Sequence, residues 1–261
     1  MNRIENAFKN KPIFMPYFPL GYPDLDTSID VIEALAKNGA DLIEVGLSFS
    51  DPLADGPVIQ KATQIALEQG ITVKKSLAAV AELRKRGVDI PLVLMGYYNP
   101  MLAYGLEKFV RDAREAGADG FIVPDLPPEE AAEFEVLLGD MPLIQMLAPT
   151  SSNERMESIA RNAKGFIYLV SVTGVTGART SISDGLGELI NRVREHTSVP
   201  VCVGFGIGTP EQAKQVGLLA DGVIVGSACV RAIGESKTPV ESAREFAKSF
   251  KNELIKVRKT K

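Results

Sequence analysis

Histidine and cysteine are scarce in this chain of 261 residues, which has one histidine and two cysteines. The histidine, His196, comes at the end of a helical pattern, where such a side chain normally meets terminal carbonyls or solvent. This placement argues against Ser-His-Asp and Cys-His nucleophiles and against a histidine-based metal site. We therefore expect no metal and no cofactor. Cys202 and Cys229 lie in apolar segments and are predicted to be buried thiols of a cytoplasmic protein.

Two further absences concern partners. Lys and Arg number 29 against 33 Asp and Glu, so the net charge is −4 and no basic excess is available for nucleic acid or an acidic membrane. No apolar run approaches the roughly 18 residues of a membrane span. The first eight residues are too polar for a secretory signal. The spacing of Ile4 and Phe8 predicts a short amphipathic helix there instead.

The sequence does contain an alternation of strand and helix patterns from end to end. Short runs rich in Leu, Ile and Val are typical of buried parallel strands, and helical patterns separate them. Eight such units with no linker predict an α/β protein with one (β/α)8 TIM barrel over residues 1–261, preceded by an extra helix. The predicted strands are Ile13–Phe18, Leu42–Gly46, Leu92–Gly96, Gly120–Val123, Leu143–Leu147, Gly165–Ser171, Val199–Gly204 and Gly222–Val225.

A weak internal repeat supports a single domain, because three similar segments each follow a helical pattern and open a strand. These segments are Asn38–Val45, Ala116–Val123 and Leu219–Val225. Three capping boxes, each with a hydroxyl residue three positions before Glu or Gln, predict helix starts. They are Ser151–Glu154, Thr209–Gln212 and Thr238–Glu241.

Two carboxylates stand out in the second unit. Glu44 lies inside an apolar strand, where an ionisable group is costly unless it has a partner or a task. Asp55 follows eleven residues later, in a turn-rich segment that leaves the carboxyl end of the same strand. Chemistry in (β/α)8 barrels takes place at that end of the strands. We therefore predict that Glu44 and Asp55 form an acid/base pair.

Three late strands are each followed directly by glycine. The segments are Thr173–Gly177, Gly204–Gly208 (which includes Gly206) and Gly226-Ser227. Glycine lets backbone N–H groups approach a ligand, and a helix N-terminus favours an anion. Barrels of this class commonly bind phosphate after strands seven and eight with a short extra helix. We predict such a helix after strand eight. The glycine segments contain no Lys or Arg, so we expect amides and hydroxyls to hold the phosphate.

Aromatic and acidic residues at other strand ends leave alternatives open. Tyr97 and Tyr168 belong to the third and sixth strand units, and either could line a pocket for an aromatic substrate. Asp125 closes the fourth strand, where a helix cap and a functional role are equally compatible with its position.

With these residues in place, the chain resembles the tryptophan synthase alpha subunit family over nearly its full length. The resemblance implies a (β/α)8 lyase that cleaves indole-3-glycerol phosphate to indole and glyceraldehyde 3-phosphate, with Glu44 and Asp55 as its catalytic residues. Glu44 would shuttle protons with a raised pKa, and an ionised Asp55 would accept the indole N–H. The motifs that carry the resemblance are Glu44-Val-Gly, Phe49–Pro57, Ser171–Gly177, Gly204–Ile207 and Gly226-Ser227.

The resemblance also implies a pocket and a partner. Tyr17, Tyr97, Tyr168 and Phe205 would border the indole, and Thr176 and Gly177 would lie on a mobile loop that closes over the substrate. The partner would be a pyridoxal-phosphate-dependent beta subunit, in an α2β2 assembly. One departure is Ser48, where the family most often has proline. Serine leaves the segment that positions Asp55 freer than proline would.

Two alternatives remain. A sugar-phosphate isomerase or epimerase on the same barrel would share the phosphate cradle. Its small substrate would not need an aromatic-lined pocket, which argues against it. The other alternative is a catalytically weak barrel whose main role is to bind and activate the beta subunit.

Overall fold

The protein is a barrel of eight parallel strands, seen in a computed structural model that describes residues 2–170, 182–204 and 206–259. The strands are β1 (Ile13–Pro19), β2 (Ile43–Gly46), β3 (Leu92–Met95), β4 (Gly120–Ile122), β5 (Gln145–Leu147), β6 (Ile167–Val170), β7 (Val201–Gly204) and β8 (Gly222–Val225). Their order in the sheet is β4-β3-β2-β1-β8-β7-β6-β5. A parallel bridge between Phe121 and Leu143 joins β4 to the segment before β5 and closes the ring. The predicted (β/α)8 fold is confirmed.

Helices surround the ring. They are α1 (Arg3–Ala7), α2 (Leu25–Asn38), α3 (Pro57–Glu68), α4 (Val73–Lys85), α5 (Tyr98–Tyr104), α6 (Leu106–Ala116), α7 (Ala132–Leu138), α8 (Asn153–Asn162), α9 (Ile182–Arg194), α10 (Pro210–Leu219), α11 (Ser227–Gly234) and α12 (Pro239–Arg258). Short 3-10 turns cover Phe8–Asn10 and Pro128–Glu130. None of the helices in the described parts of the chain combines the length and apolarity needed to cross a membrane.

The strands are buried on both faces, which explains why their sequences do not alternate with polar residues. One face meets the barrel interior and the other meets the helices. Phe14, for example, stacks on Phe250 of α12 with ring centroids 5.3 Å apart. Polar exceptions within the described strands are few, and Glu44 and Gln145 are both buried. A polar side chain at such a position needs a specific explanation.

The predicted helix starts were right to within one residue, but only one of the three predicted capping boxes forms. Thr209 forms the predicted capping box with Gln212. At α8 the cap is Ser152, because the Ser151 hydroxyl accepts the backbone N–H of Ala148 instead. Thr238 precedes α12 but its side chain makes no capping bond, and its hydroxyl lies 3.5 Å from that of Ser236. The predicted N-terminal helix is present, and Ile4 and Phe8 are buried as its spacing indicated.

The internal repeat has a structural role at the amino ends of the strands. Each repeat contributes one aspartate that accepts a backbone N–H from the neighbouring strand and pairs with two cations. The backbone bonds are Phe14 to Asp41 (2.8 Å), Leu92 to Asp119 (2.8 Å) and Val201 to Asp221 (3.1 Å). The cations are Lys251 and Arg258 for Asp41, Arg3 and Arg84 for Asp119, and Lys11 and Arg194 for Asp221. We call these three groups the aspartate bridges; they join β1 to β2, β3 to β4, and β7 to β8.

Candidate active site

A cavity of about 230 Å³ opens at the carboxyl ends of the strands, and both predicted carboxylates line it. Strands β1 to β6 and β8 contribute side chains to its walls. The loops after β2, β4, β7 and β8 also contribute. Its described lining consists of Tyr17, Glu44, Ala54, Asp55, Ile59, Met95, Ile122, Pro124, Met146, Tyr168, Gly206, Ile207, Gly208, Ile224, Gly226, Ser227, Ala228 and Arg231. The volume suits a small organic molecule, and most of these side chains are apolar.

Glu44 is fixed by the centre of the sheet. It lies on β2 in register with Tyr17 of β1 and Val93 of β3, and only 3% of its surface is exposed. Within the described residues, no group forms a hydrogen bond with its carboxyl. Burial, with a smaller contribution from the charge of Asp55, raises the pKa of Glu44 to about 8. The carboxyl is therefore protonated at neutral pH, in the direction that the sequence predicted.

Asp55 is held by the loop after β2. Its backbone carbonyl accepts the side-chain amide of Gln60 at 2.8 Å, and its carboxylate accepts the hydroxyl of Tyr97 at 3.0 Å. Burial raises the pKa of Asp55 to about 6, and the Tyr97 hydrogen bond opposes that rise. Asp55 is thus mostly ionised at neutral pH, although its pKa lies above the ordinary value.

Tyr97 acts on the site through Asp55. Its hydroxyl accepts the backbone N–H of Ala54 at 3.0 Å while donating to Asp55, and its ring packs on Phe49 with centroids 5.5 Å apart. Tyr97 is not among the described residues that line the cavity. Its contact with the substrate stays a prediction, whereas its contact with the loop that carries Asp55 is direct.

Tyr17 of β1 and Tyr168 of β6 do line the cavity. Both are buried, and for both the pKa lies well above the ordinary value, because of burial first and the charges of Glu44 and Asp55 second. Both phenols are therefore neutral hydrogen-bonding groups. The structure shows a capping contact for Asp125, whose carboxylate accepts the N–H of Tyr98 at the start of α5 at 2.9 Å.

Three of the predicted phosphate residues meet at the cavity, namely Gly206, Gly226 and Ser227. Gly206 has a φ of 76°, a conformation that favours glycine. A Cβ at Gly226 would meet its nearest protein atom, in Ile59, only at 3.6 Å, so packing does not require glycine there. The first N–H groups of α11 have no partner within the helix and are available to an anion. Phe205, Thr176 and Gly177 lie outside the described residues.

The apolar wall was not predicted from the sequence. Met95 ends β3, Ile122 ends β4, Met146 lies in β5 and Ile224 in β8. In the sequence these residues look like any other core side chains. The only sequence feature that could have identified them is their position near the carboxyl ends of the strands, where the active sites of such barrels lie.

Ser48, the departure from the family pattern, begins the loop that carries Asp55. Its hydroxyl oxygen is buried and has no hydrogen-bond partner among the residues that the structure describes. An unmet hydroxyl of this kind is destabilising, by about 1–3 kcal/mol in typical cases. The loop therefore carries a small local cost that a proline would not have.

No cluster of histidine, cysteine and acidic side chains in the described ranges is arranged to hold a metal ion. The cavity is lined by two carboxyls that differ in protonation at neutral pH, Glu44 being protonated and Asp55 mostly ionised. Its lining is mostly apolar and includes the glycines and the helix start that could bind an anion. Such a site suits proton transfer to and from an apolar substrate that carries a phosphate.

Comparisons with known proteins agree with this reading. A family model described as tryptophan synthase alpha chain matches residues 4–258. The alpha chain of Chloroflexus aggregans is 47% identical over 237 residues, covering 88% of this chain and 89% of its own. That of Dehalococcoides mccartyi is 43% identical, covering 97% and 100%. A crystal structure of the alpha subunit from Legionella pneumophila superposes with a TM-score of 0.90 at 36% identity, covering 98% and 99%.

The resemblance predicted from the motifs is confirmed by these matches, as is the assignment of the chain to the lyases. The chain belongs to the tryptophan synthase alpha chain family, the lyases of tryptophan biosynthesis that cleave indole-3-glycerol phosphate to indole and glyceraldehyde 3-phosphate.

Proposed function

We propose that Glu44 and Asp55 carry the lyase reaction at this cavity. The observation that supports this most directly is their difference in protonation. The pKa of Glu44 is about 8 and that of Asp55 about 6, so near neutral pH one carboxyl can donate a proton while the other holds a negative charge. Two neighbouring carboxyls with separated pKa values are the usual arrangement for dividing acid and charge-stabilising roles.

Glu44 would act first as the acid and then as the base. It donates its proton to indole C3, which leaves the ring positively charged. The resulting carboxylate takes the proton of the hydroxyl next to the ring. The C–C bond then breaks, its electron pair neutralises the ring, and the former alcohol carbon becomes the aldehyde of glyceraldehyde 3-phosphate. Glu44 ends protonated, so one side chain completes the cycle.

Asp55 would accept the indole N–H and stabilise the positive ring. Its negative charge acts where charge develops in the transition state, beside a cavity with a mostly apolar lining. Tyr97 supports this role, because its hydrogen bond favours the ionised form of Asp55. The cost of removing either carboxyl should resemble that of a positioned acid or base, about 10²–10⁴-fold in turnover.

The remaining site residues would hold the two ends of the substrate. Tyr17, Tyr97, Tyr168 and Phe205 would border the indole, together with the apolar wall of Met95, Ile122, Met146 and Ile224. Gly206, Gly226 and Ser227 would bind the phosphate, and Thr176 and Gly177 would cover it. The aromatic and apolar lining of the cavity supports an indole-bearing substrate over a bare sugar phosphate.

The partner would be a pyridoxal-phosphate-dependent beta subunit, in an α2β2 assembly that binds near Asp55 and near Asn99-Pro100. Two exposed leucines support this surface. Leu53, in the Asp55 loop, is 89% exposed, and Leu102, in the helix that contains Asn99-Pro100, is 48% exposed. Exposed apolar side chains near a functional mouth are typical of a contact site. We keep the cytoplasm as the expected location, which the two buried free thiols support.

The test is release of glyceraldehyde 3-phosphate from indole-3-glycerol phosphate by the wild type, Glu44→Gln and Asp55→Asn, each with and without a beta subunit. Turnover that requires both carboxyls and rises with the partner is the expected result. Wild-type activity that survives both substitutions would refute the assignment of these residues. A Glu44→Gln variant that still stimulates the beta reaction would separate the partner role from catalysis.

A further inference from the structure

Arg231 is the one positively charged side chain among the described residues that line the cavity. It lies on α11 four residues after Ser227, so the two side chains project from the same face of the helix. The glycine segments themselves contain no cation, which predicted a phosphate site made of amides and hydroxyls alone. The fold adds Arg231 to the lining of that cavity from one helical turn further along the chain.

The Arg231 guanidinium is uncommitted in the described part of the structure. It is exposed, and no carboxylate or carbonyl of the described residues forms an ion pair or hydrogen bond with it. Other arginines within the described residues are paired. Arg84 binds Asp119 and backbone carbonyls, and Arg258 binds Asp41 and the carbonyl of Pro12. A guanidinium presents five donors in a planar fork that matches a phosphate, so Arg231 has its full capacity free at the cavity.

The charges that line the cavity come from different elements. Glu44 and Asp55 lie where β2 and its loop meet the interior, whereas Arg231, Ser227 and Gly226 lie on and before α11. A dianionic phosphate is repelled by an ionised Asp55 and attracted by Arg231. The two effects favour the same orientation of a substrate with a phosphate at one end and an indole at the other.

We infer that Arg231 binds the substrate phosphate and is a positioning residue for the cleavage, an inference that rests on the proposed function of the cavity. Ser227 and the first amides of α11 contact the phosphate from the helix end, and Arg231 contacts it from the side. Arg231 takes no part in the proton transfers. Its loss should therefore weaken binding of phosphate-bearing molecules and leave the chemical step and the binding of indole unchanged.

The reverse condensation of indole with glyceraldehyde 3-phosphate separates these effects, because only one of its two substrates carries a phosphate. For Arg231→Gln we expect the KM of glyceraldehyde 3-phosphate and of indole-3-glycerol phosphate to rise about 10–100-fold, as for loss of a charge-assisted hydrogen bond. The KM of indole and kcat should stay within about twofold of the wild type. For Arg231→Lys, which keeps the positive charge but lacks the planar fork of donors, we expect KM values for the phosphate-bearing substrates between those of the wild type and those of Arg231→Gln.

A matched control is Lys248→Gln, which removes one positive charge from an exposed site on α12 remote from the cavity. Inorganic phosphate provides an independent probe. It should inhibit the wild type and Lys248→Gln competitively, and it should inhibit Arg231→Gln at least about tenfold more weakly. Circular dichroism and thermal unfolding of each variant show whether the fold is retained.

The possible results distinguish a failure of the Arg231 inference from a failure of the proposed function. If Arg231→Gln and the wild type have the same KM values and the same inhibition by phosphate, the inference is wrong. A parallel rise in the KM of indole, or a fall in kcat alone, would also overturn it, because either would indicate a general disturbance of the site. If the wild type itself fails to cleave indole-3-glycerol phosphate, the proposed function fails first.

Discussion

The hydroxyl oxygen of Tyr17 lies 2.3 Å from the point that a Cβ would occupy at Gly46, on the neighbouring strand. The same relationship recurs across the barrel, where the hydroxyl of Tyr168 lies 2.4 Å from a Cβ placed at Gly204. Each tyrosine can lie flat across the next strand only because that strand has glycine. Both rings line the cavity, so the two glycines shape the site although neither is among its described lining residues.

Gly46→Ala should therefore damage the site through Tyr17. Overpacking of this kind typically costs about 1–3 kcal/mol, and the displaced ring should also lower kcat/KM. Urea unfolding and steady-state kinetics measure the two effects. The double variant Gly46→Ala/Tyr17→Phe should recover part of the loss, because the closest remaining ring atom is 2.7 Å away rather than 2.3 Å. Gly185→Ala, where a Cβ meets nothing within 4 Å, is the matched control and should not destabilise the protein.

The pH dependence of kcat/KM should be bell-shaped. Activity needs an ionised Asp55 and a protonated Glu44, so it should fall as the pH drops through about 6 and as it rises through about 8. The two carboxyls interact, so each apparent pKa of the profile is a property of the pair and not of one residue. Asp55→Asn should remove the acidic limb from whatever activity remains. A profile that is flat across both values would show that these groups do not control the reaction.

Tyr97→Phe should move the acidic limb to higher pH. The Tyr97 hydroxyl donates a hydrogen bond to Asp55 and lowers the pKa of that carboxyl. Without this hydroxyl, nothing in the described part of the chain offsets the effect of burial, and the pKa of Asp55 should rise. The basic limb, which reports Glu44, should move little. Tyr104→Phe is the matched control, since its hydroxyl binds Asp112 on the outer surface. An unchanged acidic limb in Tyr97→Phe would mean that the hydrogen bond does not set the protonation of Asp55.

Ser48→Ala should stabilise the protein by about 1 kcal/mol, because it removes a buried hydroxyl that has no partner. Ser48→Pro should raise the free energy of unfolding by a further amount of about 0.4–1 kcal/mol. The substitution breaks no backbone hydrogen bond, because the N–H of Ser48 donates to no acceptor among the described residues. Thermal and urea unfolding measure both. Ser50→Ala, whose hydroxyl binds Asp51 on the surface, should give no gain. A destabilised Ser48→Ala would show that the hydroxyl finds a partner in solution.

The barrel was predictable because its strands differ from everything around them. Runs such as Leu92–Met95 and Gly222–Val225 are continuous apolar segments bounded by turns, and their order in the chain implies the ring. The closing contact between Phe121 and Leu143 carries no such signal, since it depends on the curvature of the whole sheet. The capping boxes predicted at Ser151 and Thr238 do not form, since the Ser151 hydroxyl accepts a backbone N–H and the Thr238 hydroxyl lies near that of Ser236.

The carboxyls of the site were predictable for the opposite reason. Glu44 is conspicuous in the sequence because an acid inside an apolar strand needs an explanation. Met95, Ile122 and Met146 were not found, because an apolar residue facing a cavity has the same sequence signature as one facing the core. Arg231 was missed because an exposed arginine on a helix is ordinary, and only the position of α11 over the cavity gives it meaning.

The aspartate bridges divide the ring unequally. They tie β1 to β2, β3 to β4, and β7 to β8, whereas no equivalent aspartate joins β5 to β6 in the described chain. Strands β5 and β6 carry Met146 and Tyr168, which are part of the cavity wall. Local opening should therefore begin there, and the amides of β5 and β6 should exchange their hydrogens faster than those of the bridged pairs. Met146 and Tyr168 would then belong to the part of the barrel that opens most readily.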